Sequence, residues 1–199
     1  MILSVLICTI PERTDKLQSL LLSLYEQRKN KPVEVIYLGD FKYMSVGEKR
    51  NHLLKLSCGD YVVFIDDDDH ISSDYISTIL KGIEDHNGID CLAIDGWQTK
   101  DGDQRGEFSF KKEWGKNFNF RETEKNENRG KMIHARFPNH ICVWKRETAL
   151  RVKFPNKNLA EDHEWAEKQS ELDYNYVSLE GKIYHYDFNS QLTQTRRHD

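Results

Sequence analysis

Four consecutive carboxylates, Asp66 to Asp69, end an apolar run in the segment YVVFIDDDDH. Side by side they repel one another unless a cation lies among them. Hard carboxylate oxygens suit Mg²⁺ or Mn²⁺, with diphosphate oxygens as natural further ligands. Asp66 and Asp68, two residues apart, can face one ligand while Asp67 points elsewhere. A solvated acidic loop is the plainer account of a charge run. This run, however, follows a glycine-led strand and precedes a helix start, and ligands of open α/β sheets bind outside the carboxyl ends of the strands.

Two further groups have the same character. Arg50 falls on a helical face with Val46, Leu53 and Leu54, the face that packs on a sheet. A cation there can pair with an aspartate or grip a phosphate, which guanidinium geometry favours. Lys49 and Asn51 lie alongside with weaker claims. Glu161 and Asp162 open another helix, where Asp162, Trp165 and Ala166 stand at i, i+3 and i+4 and share the inward face. An acid in a first helical turn also serves the helix dipole without any chemistry. His185 alternates with Tyr184 and Tyr186 in a strand, and a lone histidine of this kind is often structural. Trp97, Trp114, Phe137 and His140 could offer aromatic faces to an acceptor, or could be packing residues.

These groups need elements to hold them. Residues 2–9 read as a first strand, and Leu17, Leu20, Leu21 and Leu24 mark an amphipathic helix. A second strand spans 33–38. Ser45 and Glu48 have capping-box spacing, so a second helix begins there. The aspartate strand spans 61–65, a third helix runs from Ser72 or Ser73 to about Asp85, and a strand covers 89–97. The alternation predicts an α/β fold with a doubly wound, mainly parallel sheet. Beyond it come a hairpin tip at 100–106, a polar loop at 117–131 expected to be mobile, and a strand at 141–144. A helix at 161–171, two short strands at 174–179 and 183–186, and a polar tail at 188–199 complete the expected order.

The chain has 199 residues, 38% hydrophobic and 31% charged, and a net charge of −4. That length suits one domain with a proper core. The charge argues against a general nucleic-acid coat protein, which would be basic. Cys8, Cys58, Cys91 and Cys142 are widely spaced with no CxxC pair, and read as reduced core residues of a cytoplasmic protein. The apolar start stops at Pro11 without a basic leader, so it reads as a strand and not a signal peptide. No run approaches membrane-spanning length.

The ensemble resembles a family 2 glycosyltransferase with the GT-A fold, especially its short soluble members. The likeness rests on SVLICTIPERTDKLQSLLLSLYEQ, on GEKRNHLLKLSCGDYVVFIDDDD, and on LAEDHEWAEK. It covers residues 1 to about 90 well and 138–170 moderately. It implies one GT-A domain over 1–199: a nucleotide-sugar-binding half at 1–97 and an acceptor-side half at 98–187. It also implies that Thr9, Pro11, Glu12 and Arg13 line the base and ribose site of a nucleoside-diphosphate sugar, with Asp40 near the base. Arg50 would hold the diphosphate, Asp66 the ribose or a metal-bound water, and Asp68 a Mn²⁺ or Mg²⁺ ion. Asp67 borders the donor site as scaffold, and Asp69 is scaffold alone. Asp162 would be the general base, with Glu161 as its substitute, and His185 a further metal ligand. Many relatives carry a longer C-terminal region that shapes the acceptor site. Here the acceptor site is therefore expected from 97–140, where Trp97 and His140 are candidates, from a partner subunit, or from a second copy in a homo-oligomer.

The implied reaction moves a sugar, with UDP-sugar as the expected donor, to an acceptor hydroxyl with inversion. The acceptor could be a glycan, a protein, a lipid-linked group or a modified base. Two alternatives stay open at this point: a nucleotidylyltransferase or other metal-dependent phosphate-ester enzyme, such as a phosphatase or nuclease, and a non-catalytic nucleotide-sugar-binding domain. A nucleotidylyltransferase would normally carry a glycine-rich loop after strand one, where this chain reads TIPERTD. A non-catalytic nucleotide-sugar-binding domain would be expected to have lost Asp68 or Asp162.

Overall fold

The β-branched stretch that follows Met1 and Ile2 forms β1 (Leu3–Thr9), which accepts a parallel partner on each side. These partners are β2 (Val33–Gly39) and β3 (Tyr61–Phe64). All four residues of β3 are buried, as expected of a strand covered on both faces. The structure is a computed structural model of the chain and describes residues 1–112, 119–122 and 132–188.

Helices close the sheet where the apolar periodicity places them. A 3₁₀ turn at Pro11–Arg13 leads into α1 (Thr14–Arg28), which buries Leu17, Leu20 and Leu24. In α2 (Val46–Leu56) the Ser45 hydroxyl accepts from the Glu48 amide at 3.1 Å, half of the expected capping box. A short strand β4 (His70–Ile71), which the sequence did not announce, precedes α3 (Tyr75–Asp85). Next come β5 (Cys91–Lys100) and β6 (Asp103–Phe110). Between these two, Asp101 and Gly102 both have positive φ, so the hairpin turns in the primed geometry that Asp-Gly favours.

The second half contributes β7 (Asn119–Glu122), β8 (Met132–Arg136), β9 (Val143–Lys145), α4 (Arg146–Ala149), α5 (Glu161–Ser170) and β10 (Tyr176–Phe188). The strands form one sheet in the order β2-β1-β3-β9-β5-β6-β8-β7, with β10 along β5 and β4 along β10. β9 runs antiparallel to both β3 and β5, so those two stay parallel across it. The result is a mixed α/β sheet, flanked by helices, whose β2-β1-β3 portion is parallel.

Three expectations change. The two short strands at 174–186 are a single strand, because register shifts between Ser178 and Tyr184 absorb the interruption that Gly181 suggested. Part of the stretch at 117–131 pairs as β7. The rest of it, Trp114, and the tail beyond Phe188 lie outside the described residues. All four cysteines are free, but Cys58 is exposed and not a core residue. No helix among the described residues is long and apolar enough to cross a membrane.

α5 is anchored by aromatic packing. Trp165 stacks on Phe154 with centroids 4.7 Å apart and meets Trp144 edge-on at 5.4 Å. The Gln169 amide donates to the carbonyls of Thr148 and Ala149. These contacts fix the helix whose first turn carries Glu161 and Asp162.

Candidate active site

The carboxyl ends of β1 and β3 and the first turns of α2 meet at one sheet edge, where the aspartate run emerges. α2 presents Val46, Lys49, Arg50, Leu53 and Leu54 on one stripe. Arg50 is therefore buried, with its guanidinium over the rings of Phe64 (5.1 Å) and Phe154 (5.7 Å). Its Nη2 lies 2.9 Å from Asp66 Oδ1 and its Nε 3.3 Å from Glu161 Oε1. A buried carboxylate (Glu161) and a partly exposed one (Asp66) from distant segments thus share the buried Arg50 cation, in keeping with the rule that buried charges are paired.

Each aspartate has its own partners. Asp66 donates its backbone N–H to the Tyr184 phenol oxygen at 3.2 Å. Burial would raise its carboxyl, but Arg50 and His140 outweigh burial and hold it well below the usual range. Asp67 accepts from the Thr9 hydroxyl at 2.8 Å and from Arg13 Nη1 at 2.6 Å, and its side chain is buried. Asp69 accepts from the Tyr184 hydroxyl at 2.6 Å and the Asp187 amide at 2.9 Å. Burial, with Asp66 nearby, pushes its carboxyl well up. Asp67 and Asp69 thus tie the loop to β1, Arg13 and β10.

Asp68 lies 3.0 Å from Arg13 Nη2 on the wall of the cleft. Burial raises its carboxyl to about 6, assisted by Asp66 and Asp67 and opposed by Arg13. The negative charge of neighbouring Asp66, Asp67 and Asp68, only partly offset by Arg13, suits a divalent ion such as Mg²⁺ or Mn²⁺. Among the described residues no three His, Cys, Asp or Glu side chains cluster as a closed metal cage.

The acids of α5 arrive through backbone clasps on α2. Asn51 donates to the Phe154 carbonyl at 2.8 Å and accepts from the Phe154 amide at 3.0 Å. The Val46 amide donates to Asn158 Oδ1, and the Gly47 amide to the Lys157 carbonyl. Gly47 is needed for this approach: a Cβ there would stand 1.9 Å from the Pro155 carbonyl oxygen. Ala160, at the helix N-cap, has a left-handed φ of 56° and turns the chain abruptly into α5. Glu161 is buried on Arg50, while Asp162 opens to the cleft with 24% side-chain exposure. Burial would raise the Asp162 carboxyl, yet His140, Arg136 and Arg50 together hold it below the ordinary value. It is ionised and able to take a proton.

The cleft encloses about 530 Å³. Thr9, Arg13, Lys49, Arg50 and Asp66 to Asp68, from β1 and the turn after it, α2 and the end of β3, line part of it. Gln98, Phe108, Phe110, Arg136, Asp162, His163 and Tyr186 line another part. An adjoining recess of about 300 Å³ is bounded by Ile10, Lys42, Met44, Val46, Lys49 and Asn158. At its rim Asp40 forms an ion pair with Lys49 and accepts from the Met44 amide at 2.7 Å. Pro11 and Glu12 sit at the outer end of this region, Glu12 paired with Lys42 at 2.6 Å.

Sequence reasoning underrated Lys49, whose Nζ donates to the Thr9 carbonyl at 3.0 Å from a buried position. Its place on the apolar stripe of α2 was the available signal. Tyr186 and His163 were not singled out as site residues, and they line the cleft. Two candidates are not brought there. His185 faces Thr99 Oγ1 at 3.1 Å and the His70 ring at 5.6 Å, and it is not part of the cleft wall. Strand alternation explains this, because Tyr184 and Tyr186 take the face toward the aspartates. Trp97 is the β5 partner of His185 in register and lies under Lys182 Nζ at 4.2 Å, again away from the cleft. His140 does reach the cleft, but between two carboxylates: Nε2 is 3.5 Å from Asp66 Oδ2 and Nδ1 3.5 Å from Asp162 Oδ2.

The profile of glycosyl transferase family 2 matches residues 14–150, more than half of the chain. No curated protein matches the sequence. Among solved structures, Staphylococcus aureus TarS 1-349 in complex with UDP-GlcNAc is similar, with a TM-score of 0.62 and 17% identity over 94% of this chain and 58% of that one. The same TarS segment in complex with UDP gives a TM-score of 0.62 and 17% identity, over 94% and 60% of the two chains. The mannosyltransferase PcManGT from Pyrobaculum calidifontis, in complex with GDP-Man and Mn²⁺, gives 0.58 and 14% identity over 92% and 56%. At these identities the likeness establishes a shared fold. The chain spans under two thirds of the length of each of these proteins.

Proposed function

The chain belongs to glycosyl transferase family 2, and on that premise we propose that it moves a sugar from a nucleoside-diphosphate sugar to an acceptor hydroxyl. One observation carries this reading. A single cleft at the ends of parallel strands is lined by Arg50, Asp66, Asp68 and Asp162 together. The shared fold with proteins crystallised with UDP-GlcNAc, UDP and GDP-Man supports a nucleotide-sugar donor, and UDP-sugars are the first to test.

In this reading Thr9, Arg13 and Lys49 line the nucleotide side, with the base toward the recess beside Asp40. Arg50 sets its positive charge beside the diphosphate while remaining paired with Asp66 and Glu161. Asp68 would hold a divalent ion, which supplies charge neutralisation to the leaving diphosphate. Asp162 takes the proton of the acceptor hydroxyl as attack develops, because a neutral hydroxyl is a poor nucleophile. A single base facing the donor across the cleft favours attack opposite the leaving group, and so inversion. Gln98, Arg136, His163 and Tyr186 border the space left for the acceptor. The test is a donor panel with Mn²⁺, monitoring nucleoside-diphosphate release. UDP or GDP release from one sugar nucleotide is expected. Pyrophosphate from a nucleoside triphosphate and a sugar phosphate would identify a nucleotidylyltransferase instead.

A further inference from the structure

Five charged or ionisable side chains cross the cleft in sequence: Glu161, Arg50, Asp66, His140 and Asp162. The spacings are 3.3, 2.9, 3.5 and 3.5 Å, and chain adjacency of Glu161 and Asp162 closes the series into a ring. Its donor-side corner is Asp66 and its acceptor-side corner is Asp162. We infer that His140 is a positioning residue that fixes the Asp162 carboxylate against Asp66, and so sets where the acceptor is deprotonated relative to the bound donor. This rests on the reading of Asp162 as the base.

Several observations support that role over simple packing. His140 is only 4% exposed, and its two ring nitrogens are buried with no hydrogen bond made among the described residues, the Asp66 and Asp162 carboxylates lying at 3.5 Å. A buried imidazole without hydrogen bonds is costly unless its nitrogens are used. Contacts of this length are common at unliganded sites and shorten when the reacting complex forms. The backbone beneath is rigid. The His140 carbonyl accepts from the Phe64 amide at 3.2 Å, one residue before β3 gives way to the aspartates. Asn139 binds the Ile141 amide through Oδ1, and its carbonyl accepts from Trp144 Nε1 at 2.8 Å. The ring is thus held by the same strand end that sets Asp66, while Asp162 comes from a helix almost a hundred residues later. His140 Nδ1, at 3.5 Å, is the contact that reaches Asp162 from the β3 side. Arg136, also in the cleft wall, lowers the Asp162 carboxyl as well.

Two conservative variants separate the ring nitrogens. The amide of His140→Asn can replace Nδ1 and keep the bond to Asp162, whereas that of His140→Gln replaces Nε2 and keeps only Asp66. His140→Gln is expected to lose about 100-fold in kcat, the scale of a misplaced catalytic group, with donor KM and UDP affinity unchanged. His140→Asn is expected to retain most of the rate. Equal losses in both variants, the reverse order, or a fall in UDP affinity that matches the fall in kcat would overturn the inference. Wild-type protein that turns over no donor counts against the glycosyltransferase reading itself. The inference still meets a separate test in a crystal structure of His140→Gln. Asp162 should swing away while Asp66 stays on Arg50, and an unmoved Asp162 sinks the positioning role.

Discussion

Asp66 sits between Arg50 and His140, whereas Asp69 is enclosed by the fold with the Tyr184 phenol, and their carboxyls are shifted in opposite directions for that reason. The run is one motif in sequence and several environments in space, so its members should respond differently to replacement. Asp162, outside the run, should show the cleanest separation of chemistry from binding. Asp162→Asn is expected to lower kcat by about 100- to 10,000-fold, the range for general-base removal, while calorimetry still shows UDP binding. Retained turnover would remove Asp162 from the mechanism. Arg50 should behave in the opposite manner. Arg50→Ala leaves the buried Glu161 and the partly exposed Asp66 without their shared cation, and the expected loss of stability would be read directly by urea unfolding.

Most elements were legible because their apolar spacing was regular. β1, β3, α1 and α2 fall where the pattern of Leu, Val and Ile requires. The pairing of β4 with β10 was not, since two residues carry no periodicity. The outward turn of His185 was foreseeable in principle from alternation with Tyr184, but the register of β10 depends on bulges that no local signal fixes. Nor could spacing reveal that His140 stands between Asp66 and Asp162, because that needs the 137–142 turn docked on β3.

Two predictions belong to this scale. Asp68 titrates near 6 in the folded protein against 3.8 for the ordinary side chain, and Asp67 and Asp69 shift in the same upward direction. A folded state that binds protons more tightly than the unfolded chain gains its full benefit below 3.8 and loses it as pH rises through about 6. Asp66 and Asp162 are shifted downward, so their contribution fades only at more acidic pH. In EDTA the protein should therefore melt at a higher temperature at pH 5 than at pH 7.5, with Mn²⁺ narrowing the gap. A flat profile would show that the loop is not charge-stressed. The second concerns α2. Gly47→Ala drives a methyl into the Pro155 carbonyl, and overpacking of this kind costs about 1–3 kcal/mol. Because the same segment leads into Glu161, UDP affinity should fall with the melting temperature.

At the scale of the whole molecule, the cleft is assembled from the ends of β1 and β3, the start of α2, the 137–142 turn and the start of α5. No part of the chain owns it. A ligand that fills it should therefore stabilise the entire sheet and not one half. UDP with Mn²⁺ at about 100 times its dissociation constant should add about 2.7 kcal/mol to a single cooperative unfolding transition. Two separate transitions, only one of them moved by ligand, would show that the donor half folds independently.

The ring of charges running from Glu161 through Arg50, Asp66 and His140 to Asp162 also bears on how such a chain can be recombined. A crossover between residues 70 and 135 would splice the donor end of one parent to the acceptor end of another. It would leave Arg50 and Asp66 from one lineage facing His140, Glu161 and Asp162 from the other. Chimeras with relatives should survive only where both parents carry all five positions. Gln98, Phe108, Phe110 and Tyr186 line the cleft outside the ring, and exchanges there should leave these five contacts intact.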